Sequence, residues 1–154
     1  GVLLYLLEEK RLGPPEVGEL INRQAGLLGV SETSADMRDL LSREANDQRA
    51  AEAVALFCYQ AKKFLGALAA ALGGLDTLIF TGGIGEHSAA VRWRICEGLE
   101  FLGLRLDESR NAEHAPVVSC EGGPVTVRMM PTDENLIIAR HTRLLVEPTT
   151  QEGA

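Results

Sequence analysis

Apolar residues in the first half of the chain recur at helical spacing. Residues 2–10 read as a short helix stopped near Gly13. Pro14-Pro15 then opens another, where a missing N–H costs little, with Val17, Leu20 and Ile21 on its apolar side. Gly26 and Gly29 interrupt the pattern, and Ser34 is expected to cap a third short helix with Asp36 in its first turn. From Asn46 onward Val54, Phe57, Ala61, Phe64, Leu65, Leu68 and Leu72 mark the clearest long helix, ended by Gly73-Gly74.

The pattern then changes. Residues 77–81 form a short apolar run of strand formers, which predicts a buried strand followed at once by glycine. Ser88 or its neighbour begins a helix with Val91, Ile95, Leu99 and Leu102 on one face, closing at Gly103. Short strands are expected at 104–106 and 117–119, and a stronger one at 125–130. After Pro131, Thr132 is expected to cap a last helix filled by Leu136, Ile137, Ala139, Arg140, Leu144 and Leu145, and the small polar tail 147–154 is expected to fray. The fold class is α/β, with a helical front half, a small mixed sheet behind it, and a single domain over residues 1–154.

Composition removes several function classes. Fifteen Lys and Arg against 22 Asp and Glu give a net charge of -7, and no basic stripe interleaved with aromatics offers a footprint for nucleic acid. Charge or glycine interrupts the apolar segments before the length of a spanning helix, so no membrane segment is expected. Cys58, Cys96 and Cys120 are odd in number and lack CxxC spacing. They argue against a disulfide framework or a zinc site and fit a reducing cytoplasm. Gly1 opens straight into VLLYLL without a charged n-region, which leads us to expect a piece of a longer protein.

The candidate chemistry centres on FTGGIGEHS, residues 80–88. A strand, a glycine-rich turn and a helix let bare backbone approach a phosphate or nucleotide. Gly83-x-Gly85-x-x-Ser88, with Asp107 about twenty residues on, imitates a dinucleotide fingerprint, but Ser88 replaces its third glycine. A GxxxxGK(S/T) phosphate loop is ruled out, because no lysine follows Lys63. On loop chemistry alone, a tight turn without a ligand stays open. His114, His141, Arg92 and Arg94 read as surface residues, the arginines flanking Trp93 on a solvated helix face.

Three stretches together go further: LIFTGGIGEHSAAVRWRICEGLEFLGLRLDESRN, GLLGVSETSADMRDL and MMPTDENLIIARHT. In this order they resemble the signatures of the acetate kinase family. The resemblance implies a C-terminal domain of the fold shared with actin and the sugar kinases (ribonuclease H-like). It implies ATP/ADP and Mg²⁺ as cofactors. Asp36, Met37 and Arg38 match the stretch that contacts adenosine, and Gly83, Ile84, Gly85, Glu86 and His87 match the nucleotide loop, with His87 standing where the family more often has asparagine. Glu134 matches the glutamate of the magnesium site. No catalytic residue is expected in this chain. The family's catalytic arginines, acid, histidines and main phosphate loop are implied to lie in a preceding N-terminal domain, the expected partner. The whole protein would be a homodimer that interconverts acetate plus ATP with acetyl phosphate plus ADP, and this chain alone would be inactive. A propionate or butyrate kinase, or a noncatalytic nucleotide-binding or dimerisation module, are the alternatives.

Overall fold

The computed structural model describes residues 1–146, apart from the side chains of Glu134, Asn135, Leu144 and Leu145; the tail expected to fray lies outside the described residues. The front half is helical: α1 (Val2–Glu8), α2 (Pro14–Glu19), α3 (Gly26–Ser31), α4 (Met37–Arg43) and α5 (Gln48–Leu72). The tandem prolines start α2, whose Glu16 reaches back to accept from the Gly13 N–H at 2.7 Å. The helix then widens into a π turn at Leu20–Gln24, which apolar spacing does not reveal.

Of the two glycines expected to interrupt the helical pattern, Gly26 does so, at positive φ where the π turn gives way to α3, while Gly29 lies inside a helix. A Cβ at Gly29 would sit 2.9 Å from the Gln24 carbonyl oxygen. Glycine there permits close approach of α3 to the π turn rather than ending a helix. The cap of α4 is also displaced by two residues. Asp36, in extended backbone, accepts from the Arg38 N–H at 2.8 Å, while Ser34 Oγ accepts from the Asp36 N–H and orders the approach. The long helix α5 runs as expected, from an Asp47 cap to Gly73 in left-handed conformation, and packs on α3, α4 and α7.

The back half contains β1 (Thr77–Phe80), α6 (Gly82–His87), α7 (Ala89–Cys96), α8 (Glu108–Ala112), β2 (Thr126–Met129) and α9 (Glu134–Val146). β1 and β2 pair in parallel, with Thr77 opposite Thr126 and Phe80 opposite Met129. Several expectations change here. β1 is not buried throughout: Phe80 faces the core, but Ile79 is 50% exposed. α7 stops at Cys96 because Gly98 turns the chain at positive φ, and Leu99 reaches the core from outside the helix. The strands expected at 104–106 and 117–119 are reduced to single bridges, Leu106 with Ser119 and Val117 with Arg128. The segment at 116–119 nevertheless covers the side of β2 away from β1, since Val118 donates to Val127 and Met129 to Pro116. Asp133, not Thr132, caps α9, accepting from the Leu136 N–H at 2.9 Å.

One apolar cluster joins the halves, from Met37, Leu40 and Val54 in the front to Val91, Leu104, Val118 and Val127 behind. Cys58 and Cys96 are free and buried within it, and Cys120 is free and half-exposed. Among the described residues no helix is long and apolar enough to cross a membrane.

Candidate functional site

The sequence FTGGIGEHS does not form a loop. Gly82–His87 is a helix, α6, between the end of β1 and the Ser88 cap of α7. A six-residue helix with three glycines has poor intrinsic stability, so neighbouring groups must fix it. At its N-terminal end Glu86 turns back, and Oε1 accepts from the Gly82 N–H at 2.8 Å and the Thr132 N–H at 2.9 Å. These bonds, that from Thr132 first, hold the Glu86 carboxyl below its ordinary range. Thr132 Oγ1 also accepts from Gly82 N–H and meets Thr81 Oγ1. At the C-terminal end Arg92 Nη1 donates to the carbonyls of Gly85 and Glu86 at 2.8 and 2.9 Å.

At the positive end of α6 the first N–H, that of Gly82, is therefore taken by the chain's own carboxylate. What α6 offers is its side. Gly83, Ile84 and His87 form one wall of a cleft of about 810 Å³, and Asp36, Met37 and Arg38 at the start of α4 form the other. Six of the residues expected from the sequence, Asp36 to Arg38 and Gly83, Ile84 and His87, thus share one opening, although α4 and α6 are separated in the chain by α5 and β1.

Their environments differ. Met37 is 3% exposed and forms the apolar floor. Arg38 folds back so that Nη2 lies 3.1 Å from Asp36 Oδ2, both groups on the surface. This bond holds the Asp36 carboxyl below its ordinary range. An acid able to accept from hydroxyls and a planar guanidinium above an apolar floor suit a ribose and a flat base. His87 is exposed on the opposite wall. Two expected residues do not line the cleft. Gly85 packs on β1, where a Cβ would lie 3.3 Å from the Phe80 carbonyl carbon, and the Glu86 carboxylate serves as the brace described above. Glu134 opens α9 two residues after Thr132, and its side chain lies outside the described residues. Among the described residues no three His, Cys, Asp or Glu side chains are grouped to hold a metal ion.

Sequence reasoning missed the support behind α6. Arg92 is fully buried, not solvated, and Arg94 makes a two-point ion pair with Glu44 at 2.7 Å for each bond. The signal was available: Arg92 stands three and four residues before Ile95 and Cys96, on the same buried face of α7. His114 is exposed, as read from the sequence, but its Nδ1 lies 3.2 Å from Arg92 Nη2 and 2.9 Å from the Glu86 carbonyl.

Comparison with known proteins bears directly on this arrangement. The family model described as the acetokinase family matches residues 1–140. The chain belongs to the acetokinase family. An acetate kinase of Rhodopseudomonas palustris is 50% identical over 149 residues, covering 96% of this chain and 37% of that protein. An acetate kinase of Clostridium botulinum is 45% identical over 151 residues, covering 95% and 38%. Among solved structures, Porphyromonas gingivalis acetate kinase superposes with a TM-score of 0.83 at 39% identity, over 96% of this chain and 38% of its own. A propionate kinase from Francisella tularensis gives 0.80 at 29% identity, over 90% and 36%. The chain thus spans 36–38% of the length of these acetokinase-family relatives.

Proposed function

We propose that this chain is the nucleotide-side part of a carboxylate kinase, which interconverts acetate plus ATP with acetyl phosphate plus ADP. The observation that carries this reading is the cleft between α4 and α6, where Asp36, Met37 and Arg38 face Gly83, Ile84 and His87. The base and ribose would lie between these walls, with Asp36 accepting from ribose hydroxyls and Arg38 opening from Asp36 to stack on the base.

The phosphates would extend out of the cleft towards another part of the whole protein. Bound Mg²⁺ would neutralise phosphate charge. A magnesium ion needs only one or two carboxylates when phosphates and water complete its shell. Glu134 would supply one carboxylate, and the Glu86–Thr132 bonds tie the nucleotide wall to the segment that carries it.

Uncovered surface supports a larger assembly. β1 pairs with β2 on one side, and among the described residues its other edge has no strand. Parallel strands ordinarily have both faces covered, yet Ile79 is 50% exposed, as are Leu3, Leu4 and Tyr5 of α1 to 50–57%. A preceding N-terminal part and a second copy would cover these surfaces, with the whole protein acting in the cytoplasm, within an actin- and sugar-kinase-like fold. Alone, the chain would lack the groups that neutralise the transferring phosphoryl and would be inactive.

Titration of ADP into the full-length protein by calorimetry tests the reading. Gly83→Val is the sharpest variant, because a Cβ there meets nothing within 4 Å and Gly83 lines the cleft. It should weaken ADP binding by about tenfold or more, and Arg38→Ala by somewhat less. Unaltered binding in both, or NAD binding tighter than ADP, would sink the proposal. The propionate kinase similarity keeps a second acyl preference in view, and rates with acetate, propionate and butyrate separate the two.

A further inference from the structure

The guanidinium of Arg92 has no relative exposure, and among the described residues it makes no ion pair. Its acceptors are neutral. Nη1 takes the Gly85 and Glu86 carbonyls at the end of α6, Nη2 the Asn111 carbonyl at 2.7 Å near the end of α8, and Nε the Asn111 side-chain oxygen at 2.7 Å. Asn111 is itself 4% exposed, and its amide donates to the Ala89 carbonyl, closing the network onto α7.

Burying a cation without a carboxylate is costly. What offsets the cost here is the negative end of two short helices, whose last carbonyls have no intrahelical partners. A forked, planar donor can serve both ends at once, which a lysine ammonium cannot do in the same geometry. Because α6 is short and glycine-rich, the orientation of its cleft-facing side depends on these bonds and on the Glu86 brace at the opposite end.

We infer that Arg92 is a positioning residue for nucleotide binding: it never touches the ligand, but through the Gly85 and Glu86 carbonyls it sets the angle at which α6 presents Gly83, Ile84 and His87 to the cleft. This inference rests on the nucleotide reading of that cleft. Buried arginine bonds of this kind fix geometry as well as stability, so their loss should fall on one substrate more than the other.

The test uses the full-length protein. Wild type must first bind ADP in calorimetry; no binding removes the nucleotide reading itself. With binding established, Arg92→Lys should raise the KM for ATP about tenfold or more, the scale of losing charge-assisted hydrogen bonds. The KM for the carboxylate should stay within about twofold, because the proposed reading gives the α6 cleft to the nucleotide alone. Asn111→Ala keeps the fork on α6 and should give a smaller rise in the same KM, which holds the test open if Arg92→Lys does not fold. Val118→Ala serves as the control: it is a core truncation whose backbone pairs with Asp107 and Val127, and it should lower thermal stability without moving the KM for ATP. An unchanged KM for ATP in Arg92→Lys and Asn111→Ala, an equal rise for both substrates, or a fall in kcat alone would each overturn the positioning role.

Discussion

From its start to Leu65 the inward stripe of α5 is covered: Ala50 and Val54 have no exposure, and Phe57, Ala61 and Leu65 are half-buried against the core. One heptad beyond those three residues, on the same face of the helix, Phe64, Leu68 and Leu72 are 62%, 62% and 77% exposed. The stripe is continuous, but its surroundings are not. The covered half belongs to the region that builds the cleft, with α4 and α7 packed on it. The uncovered side of the last turns, next to the buried Ala69, leads through Gly73-Gly74 into β1, whose outer edge and Ile79 are also uncovered. Hydrophobic spacing along a helix therefore records what it is built to face, and here part of that surface belongs to the larger assembly proposed above.

The largest contrast should appear in stability. Leu40, on α4 beside the covered half, is fully buried. In the 1–154 chain Leu40→Ala should cost about 2–5 kcal/mol in urea unfolding. Leu68→Ala in the overhang should cost no more than about 0.5 kcal/mol, because exposed truncations remove few contacts. Equal losses would erase the distinction and mean that the overhang is covered in the isolated chain, by self-association.

The same division explains what was readable beforehand. α5, β1, β2 and the start of α7 follow apolar period and capping, which act over a few residues, and so their positions were legible. The pairing of Asp36, Met37 and Arg38 with the glycine stretch came from resemblance, since no local rule brings α4 to α6. Chain-specific bonding decided the rest. The conversion of TGGIGEH from loop to helix depends on Glu86 and Arg92 acting at its two ends, and Asp133 rather than Thr132 caps α9 because Thr132 is engaged with Gly82. The reading of Arg92 as solvated failed because charge was weighed ahead of its place on the buried face of α7.

A smaller effect should separate the regions by pH. Glu44 at the end of α4 holds Arg94 of α7 through two bonds. The Arg94 guanidinium holds the Glu44 carboxyl below its ordinary value of 4.5, chiefly through those bonds. A depressed folded value means the stabilisation is fully present above pH 4.5 and is lost as pH falls below it through the folded value. Because the pair is partly exposed, its worth is about 0.5–1 kcal/mol. Glu44→Gln should remove that amount at pH 7 and flatten the acid limb of the urea midpoint, whereas Leu68→Ala should leave the limb's shape as in wild type. An unaltered acid limb in Glu44→Gln would refute the brace.

The smallest effect in the isolated chain should also reverse most clearly in the whole protein. Leu72→Ser, at the last turn of α5 and 77% exposed, loses a few tenths of a kcal/mol of helix propensity and little packing. In the 1–154 chain its unfolding midpoint should therefore stay close to wild type, and sedimentation should show less self-association as an apolar residue leaves the surface. If the rest of the protein covers this end of the stripe, the same substitution places a hydroxyl in an apolar contact there, and the cost should rise to about 1–3 kcal/mol. A cost that stays negligible in the full-length protein would mean that Leu72 faces solvent in both settings, and the overhang would then end at Leu68 rather than at the helix terminus.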